Sequence, residues 1–295
     1  MTTVFNFVRH GRDVIAAQVA QVGEVESVDE LVDIMRVCAG EQDRERLSEP
    51  SDALASAIET FEAREHVDFW RTVWPSIQTW LLDDESASGE LPLLFQERDS
   101  VAARVSETDV RFLLANAFIA NLLSFDELVA LHGADKLGVG IDHFFGVLSF
   151  VDLFTRPHCV ESEQRILCML AYFSVAHTAD RNSFVEVRRH VQQPLDEAQW
   201  LAIDKRITAE SALVHDDVME AVMRHERRPA FMDFANRDLQ IHRNIPSCTQ
   251  EEILFSAAPA CFIGLLICER MSELEGISIR NVRRVALYSG YLSTF

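Results

Sequence analysis

The chain has 295 residues, enough for two domains or one large one; 48% hydrophobic and 25% charged residues exclude a disordered polymer. Against 27 basic residues stand 47 acidic ones, a formal net charge of −20 that repels polyanions at long range. A direct DNA- or RNA-binding surface is therefore not expected, and an anionic ligand must be held by local donors in a pocket.

The N-terminus carries Arg9, His10, Arg12 and Asp13 among its apolar residues, so no signal peptide is expected. No run approaches the length of a transmembrane helix, and the expectation is a soluble protein of the nucleus and/or cytoplasm with no membrane partner. Ser27 precedes Asp29-Glu30-Leu31-Val32-Asp33-Ile34-Met35, an N-cap, an acidic first turn and an apolar stripe. Between His66 and Leu82, Phe69, Trp70, Trp74, Ile77 and Trp80 recur at helical spacing, with Pro75 expected to kink or interrupt the helix. Ser106, three residues before Asp109, opens a helix whose buried face is Val110, Leu113, Leu114, Ala117 and Phe118. Ser124 caps a short helix over Phe125 to Leu131.

The character changes in the last third. Phe231-Met232-Asp233-Phe234-Ala235 reads as a buried strand ending in a functional loop. Gln250 to Ala257 reads as a helix with Glu251 and Glu252 in its first turn, where the macrodipole favours acids. Cys261 to Cys268 suits an internal strand, and Ile277, Ile279, Val282, Val285 and Leu287 suggest two more strand pieces. The architecture expected is a helical domain followed by an α/β domain. Six scattered cysteines with no C-x-x-C pair read as reduced thiols, with no metal site and no cofactor implied.

Chemistry concentrates between Asp233 and Glu252. Asp233, Asn236, Gln250 and Glu252 are suited to sugar hydroxyls and phosphates, around a loop with no glycine, and Glu251 stands beside Glu252. Neighbouring helix residues do not face each other, so the two glutamates do different jobs. One could protonate a leaving oxygen while the other grips hydroxyls, as glycosidic cleavage requires. The alternative is an acidic first turn with no further role.

The order Asp233-Phe234-Ala235-Asn236, a loop, then Gln250-Glu251-Glu252-Ile253 resembles the signature of the poly(ADP-ribose) glycohydrolases. "FWRTVWPSI" (69–77), "LPLL" (91–94), "LLANAF" (113–118), "RILCMLAYF" (165–173), "SFVEVRR" (183–189) and "YSGYLSTF" (288–295) continue the match in the same order. The resemblance implies an α+β or α/β chain. A divergent helical segment spans 1–65, a helical accessory domain 66–180, and a macrodomain-like catalytic domain 181–295, incomplete at its C-terminus.

The reaction it implies is hydrolysis of ribose–ribose O-glycosidic bonds in poly(ADP-ribose), releasing ADP-ribose. The partners would be the polymer and the proteins that carry it, in a setting of DNA damage. Glu252 is similar to the family's acid/base glutamate. Glu251 and Asp233 would orient ribose hydroxyls, with Asn236 and Gln250 as hydrogen-bonding partners. Tyr291 would stack on adenine, and Asp216 (or Asp217) is similar to a substrate-contacting acid.

Two departures stand out. The family's glycine triplet falls on Gln240, Ile241 and His242, and a β-branched Ile needing φ > 0 is a steric problem, so a reshaped loop is expected. The chain also stops at Phe295, where family members continue through further strands. A catalytically degenerate relative that binds ADP-ribose, or a scaffold, is the competing expectation. His225-Glu226 reads as a charged helix end, the aromatic clusters as packing, and Arg188-Arg189 and Arg283-Arg284 as isolated basic pairs.

Overall fold

A computed structural model describes residues 4–49, 52–82, 87–95, 101–133, 148–155, 159–178, 182–203, 231–233, 236–242, 244–288 and 290. The order of elements is β1 (Val4–Asn6), α1 (Arg12–Val22), α2 (Val28–Cys38), α3 (Glu41–Arg46), α4 (Asp52–Glu65) and α5 (Trp74–Leu82). Then come β2 (Glu90–Pro92), β3 (Val101–Ser106), α6 (Glu107–Phe118), α7 (Phe125–His132), α8 (Val151–Thr155), α9 (Val160–Val175) and β4 (Phe184–Val191). Last are α10 (Glu197–Leu201), α11 (Gln250–Ala257), α12 (Ile263–Ile267) and β5 (Glu275–Arg280).

The helix starts follow the capping chemistry of the sequence. Ser27 Oγ accepts the Glu30 amide at 3.3 Å, Ser106 Oγ the Asp109 amide at 3.0 Å, and Ser124 forms a full capping box with Glu127. Pro75 does interrupt the aromatic stretch: Phe69–Val73 is a π-helical turn that passes into α5 at Trp74. A proline lacks the amide that α-helical bonding needs, and the wider turn absorbs the loss.

Three antiparallel strands form the larger sheet in the order β3-β4-β5, while β1 and β2 form a separate antiparallel pair. β4 is shared, pairing Val101↔Arg189 on one side and Arg189↔Ile277 on the other. The core is continuous from the helical part to the last third. Ring contacts run from Phe173 to Phe118, from Phe118 to Phe154, from Phe154 to Phe150, and through Phe262 to Phe255 on α11. The aromatic residues Phe150 and Phe154 are therefore packing residues; Phe144 and Phe145 lie outside the described residues.

Three strand expectations are corrected. Cys261–Cys268 is helical: a 3-10 turn over Pro259–Phe262 passes into α12, with proline in the first turn, where its fixed φ is preset for a helix. An unbroken apolar run suits a buried helix as well as a buried strand. Gly264 lets α12 pack closely on β5: a Cβ there would sit 3.0 Å from the Ile279 side chain, which would have to give way. Residues 231–233 have no regular structure and Met232 is 64% exposed; the Met232 carbonyl accepts the Gln250 side chain at 3.1 Å rather than a ladder amide. After β5 the second strand piece is absent among the described residues. Asn281 takes φ +63°, which turns the chain off the ladder, and the Val285 amide bonds to the Ala257 carbonyl of α11.

All six cysteines are free. Among the described residues no single helix is long and apolar enough to cross a membrane; α11 and the helical stretch Pro259–Ile267 meet at a 114° bend.

Candidate functional site

The site is built on the N-terminal turn of α11. Thr249 caps the helix, and its amide donates to Glu252 Oε2 at 3.1 Å, so Glu252 closes a capping box with the residue type that the N3 position favours. Glu252 is 3% exposed and Glu251 is 8% exposed, both buried by the packing of α11 against α9 and the Phe255–Phe262 ring pair. Gln250, beside them, reaches back to the Met232 carbonyl and so ties the helix start to the segment bearing Asp233.

Asp233, Glu251 and Glu252 lie near enough for their charges to influence one another, and together they make the acidic cluster of the site. Burial raises the Asp233 carboxyl to about 6, and the charge of Glu252 pushes the same way. Burial raises Glu251 to about 7, opposed by a hydrogen bond from the Gln240 amide and reinforced by the charges of Asp233 and Glu252. Asp233 Oδ1 is buried with no hydrogen-bond partner among the described residues. Such a cluster holds a proton near neutral pH, which general acid–base chemistry and hydroxyl binding both use. Among the described residues no three His, Cys, Asp or Glu side chains converge as a metal site requires.

The raised carboxyl of Glu251 has a stability consequence. A folded-state value of about 7 against 4.5 means that folding takes up a proton. The stability this contributes is complete below about 4.5 and is lost as pH rises through about 7. Glu251→Gln keeps an oxygen for the Gln240 amide and removes the titration. The variant should match the wild type near pH 5 and exceed it at pH 8 by the order of 1 kcal/mol, discounted for residual solvent screening. Urea denaturation at the two pH values checks this; a difference that does not change with pH would refute it.

The loop before α11 places its strain away from the β-branched residue. Residues Leu239–His242 form a 3-10 turn, and the left-handed residue is Gln240, at φ +51°, not Ile241. The turn therefore needs positive φ at the first position of the missing glycine triplet only. Gln240 is fully buried, and its amide donates to Glu251 Oε1 at 2.8 Å. A left-handed non-glycine residue costs about 1–2 kcal/mol. Gln240→Gly should then be more stable than Gln240→Ala by about 1 kcal/mol, because both lack the side-chain amide and only alanine keeps the strain. Equal melting curves would show that the backbone at 240 is not left-handed.

Of the other expected residues, Asn236 is exposed at the start of the loop, where its Oδ1 accepts the Asp238 amide at 3.4 Å, and it does not join the acidic cluster. Asp238 in turn pairs with Arg270 at 2.9 Å, anchoring the loop ahead of β5. Tyr291, Asp216 and Asp217 lie outside the described residues, as does His225-Glu226. Sequence reasoning missed Arg165 of α9, which is 1% exposed and donates to Ser256 Oγ at 2.9 Å, to the Ile245 and Ser247 carbonyls, and to the Gln240 and Asn244 side chains. The available signal was a lone cation heading the apolar run Ile166–Leu170.

Comparison with known proteins follows this geometry. The helical-domain model of the poly(ADP-ribose) glycohydrolase family matches residues 61–189, and the family's macro-domain-fold model matches residues 201–295. Poly(ADP-ribose) glycohydrolase 1 of Caenorhabditis elegans is 40% identical over 60 residues, 20% of this chain. That match spans 8% of the worm protein's length. The chain belongs to the poly(ADP-ribose) glycohydrolase family, with its helical domain followed by its macro-fold domain.

Proposed function

We propose that this protein hydrolyses the ribose–ribose O-glycosidic bonds of poly(ADP-ribose) and releases ADP-ribose, with Glu252 as general acid/base. The observation that carries the reading is the buried cluster of Asp233, Glu251 and Glu252 at the start of α11, in which two carboxyls are raised to about 6 and about 7. Glu252 protonates the leaving ribose oxygen and then takes the proton of the attacking water. Glu251 and Asp233 hold ribose hydroxyls; a carboxyl near half-protonation can donate to one hydroxyl and accept from another. Gln250 ties the helix start to the Asp233 segment through the Met232 carbonyl; Asn236 hydrogen-bonds the sugar, Tyr291 stacks on adenine and Asp216 is a further substrate-contacting acid.

A second reading, binding of ADP-ribose without cleavage, draws on two observations. Glu252 Oε2 is already engaged by the Thr249 amide, and a buried Gln240 stands where the family has glycine. Release of ADP-ribose from an automodified polymerase separates the two. Turnover by the wild-type protein that disappears in Glu252→Gln supports hydrolysis. An inert wild-type protein that still binds ADP-ribose removes the enzyme reading in favour of the binder.

A further inference from the structure

The loop bearing Gln240 and the helix bearing both glutamates share one buried cation, the guanidinium of Arg165 from α9. Its Nε donates to Ser256 Oγ, one helical turn beyond Glu252. Nη1 donates to the carbonyls of Ile245 and Ser247, and Nη2 to Gln240 Oε1 at 3.3 Å and to Asn244 Oδ1. Every one of these acceptors is neutral, and four of the five lie in the stretch between Asn236 and Thr249. Burial lowers the guanidinium to about 10, with the charge of Glu252 the first influence holding it up. The cation is thus protonated at neutral pH and is kept near the acidic cluster without a direct ion pair to it.

Resting on the glycohydrolase reading above, we propose that Arg165 is a positioning residue that locks the glycine-less loop and thereby holds the Gln240 amide against Glu251. The shape of the acidic cluster is then set from the helical domain. In place of glycines that let a backbone approach its ligand unaided, this chain uses a left-handed glutamine clamped on both its side chain and its amide. Only a planar fork of five N–H donors serves these acceptors together; an ammonium supplies the charge and not the fork.

Arg165→Lys therefore separates positioning from simple neutralisation of Glu252. The measurements are hydrogen exchange at the Gln240 amide and a carboxyl carbon titration of Glu251, neither of which needs substrate. Exchange at Gln240 should accelerate roughly tenfold or more while amides within α9 and β4 keep their protection. The Glu251 titration should move away from about 7 once the Gln240 amide that lowers it is released. A folded Arg165→Lys protein with both readouts unchanged overturns the proposal.

Should that variant fail to fold, Asn244→Ala removes one loop acceptor and leaves the cation in place. Faster Gln240 exchange in it supports the proposal, and unchanged exchange overturns it. An inert wild-type protein would sink the glycohydrolase reading while leaving this result standing. An active one with a Gln240 amide indifferent to Arg165 would do the reverse.

Discussion

Glu252→Gln is expected to slow ADP-ribose release by about 10²–10⁴-fold, the range that general acid–base assistance supplies. The substitution matters because, under the proposed mechanism, Glu252 would have two jobs that glutamine splits. Its Oε2 accepts the Thr249 amide at 3.1 Å, and the carbonyl oxygen of glutamine can accept the same bond, so the helix start survives. What glutamine cannot do is deliver a proton to a leaving oxygen and recover it from water. The melting temperature should therefore stay within a few degrees of wild type while turnover collapses. Glu252→Ala is the contrast: it also breaks the capping box, and should lose about 1 kcal/mol of stability in addition. Initial rates on polymer paired with thermal melts read both quantities. A Glu252→Gln rate within about threefold of wild type would remove Glu252 from the chemistry, since that is far below what acid–base assistance is worth.

Arg189→Met is expected to be the most destabilising single change in the sheet, by about 3–5 kcal/mol. Arg189 on β4 and Glu275 on β5 form an ion pair in which both side chains are fully buried. The guanidinium also donates to the carbonyls of Glu269 and Arg270, and Glu275 Oε2 accepts the Ser272 amide at 2.7 Å. Methionine fills the volume but removes the cation that faces the buried Glu275 carboxylate. Against a typical total of about 5–15 kcal/mol, such a loss removes a substantial part of the stability. Adding Glu275→Gln to Arg189→Met should recover part of the loss, because the buried carboxylate charge is gone and the Ser272 amide keeps an acceptor. Urea midpoints of the two single variants and the double variant test this. Strictly additive effects would mean that the two side chains do not interact.

The features legible in the sequence were those decided by a few neighbouring residues. Ser27, Ser106 and Ser124 mark helix starts because an N-cap is a three-residue interaction, and Pro75 marks a break because its ring carries the reason. Gln250–Ala257 was legible for the same cause, and with it the pairing of Glu251 and Glu252 on one buried turn. Cys261–Cys268 was not, because eight apolar residues fill a buried helix or a buried strand equally well. The loop showed the same limit: three missing glycines announced strain, but which residue takes positive φ depends on the Glu251 carboxylate and Arg165 that receive Gln240. Arg165 was illegible because its acceptors lie some 75 to 91 residues away along the chain.

The shared strand β4 also sets an order of events during synthesis. β3 and β4 fall within the stretch matched by the family's helical-domain model or at its end, whereas β5 comes from the stretch matched by the macro-fold model. At about 5–20 residues per second, the ribosome needs several seconds after β4 emerges before β5 can reach it. During that interval the edge of β4, with Arg189 still lacking its carboxylate, faces solvent in a half-made protein. An unpaired edge is a template for the wrong partner. A newly made chain paused in that interval offers chaperones, and other copies of itself, a β4 edge that the finished protein covers with β5.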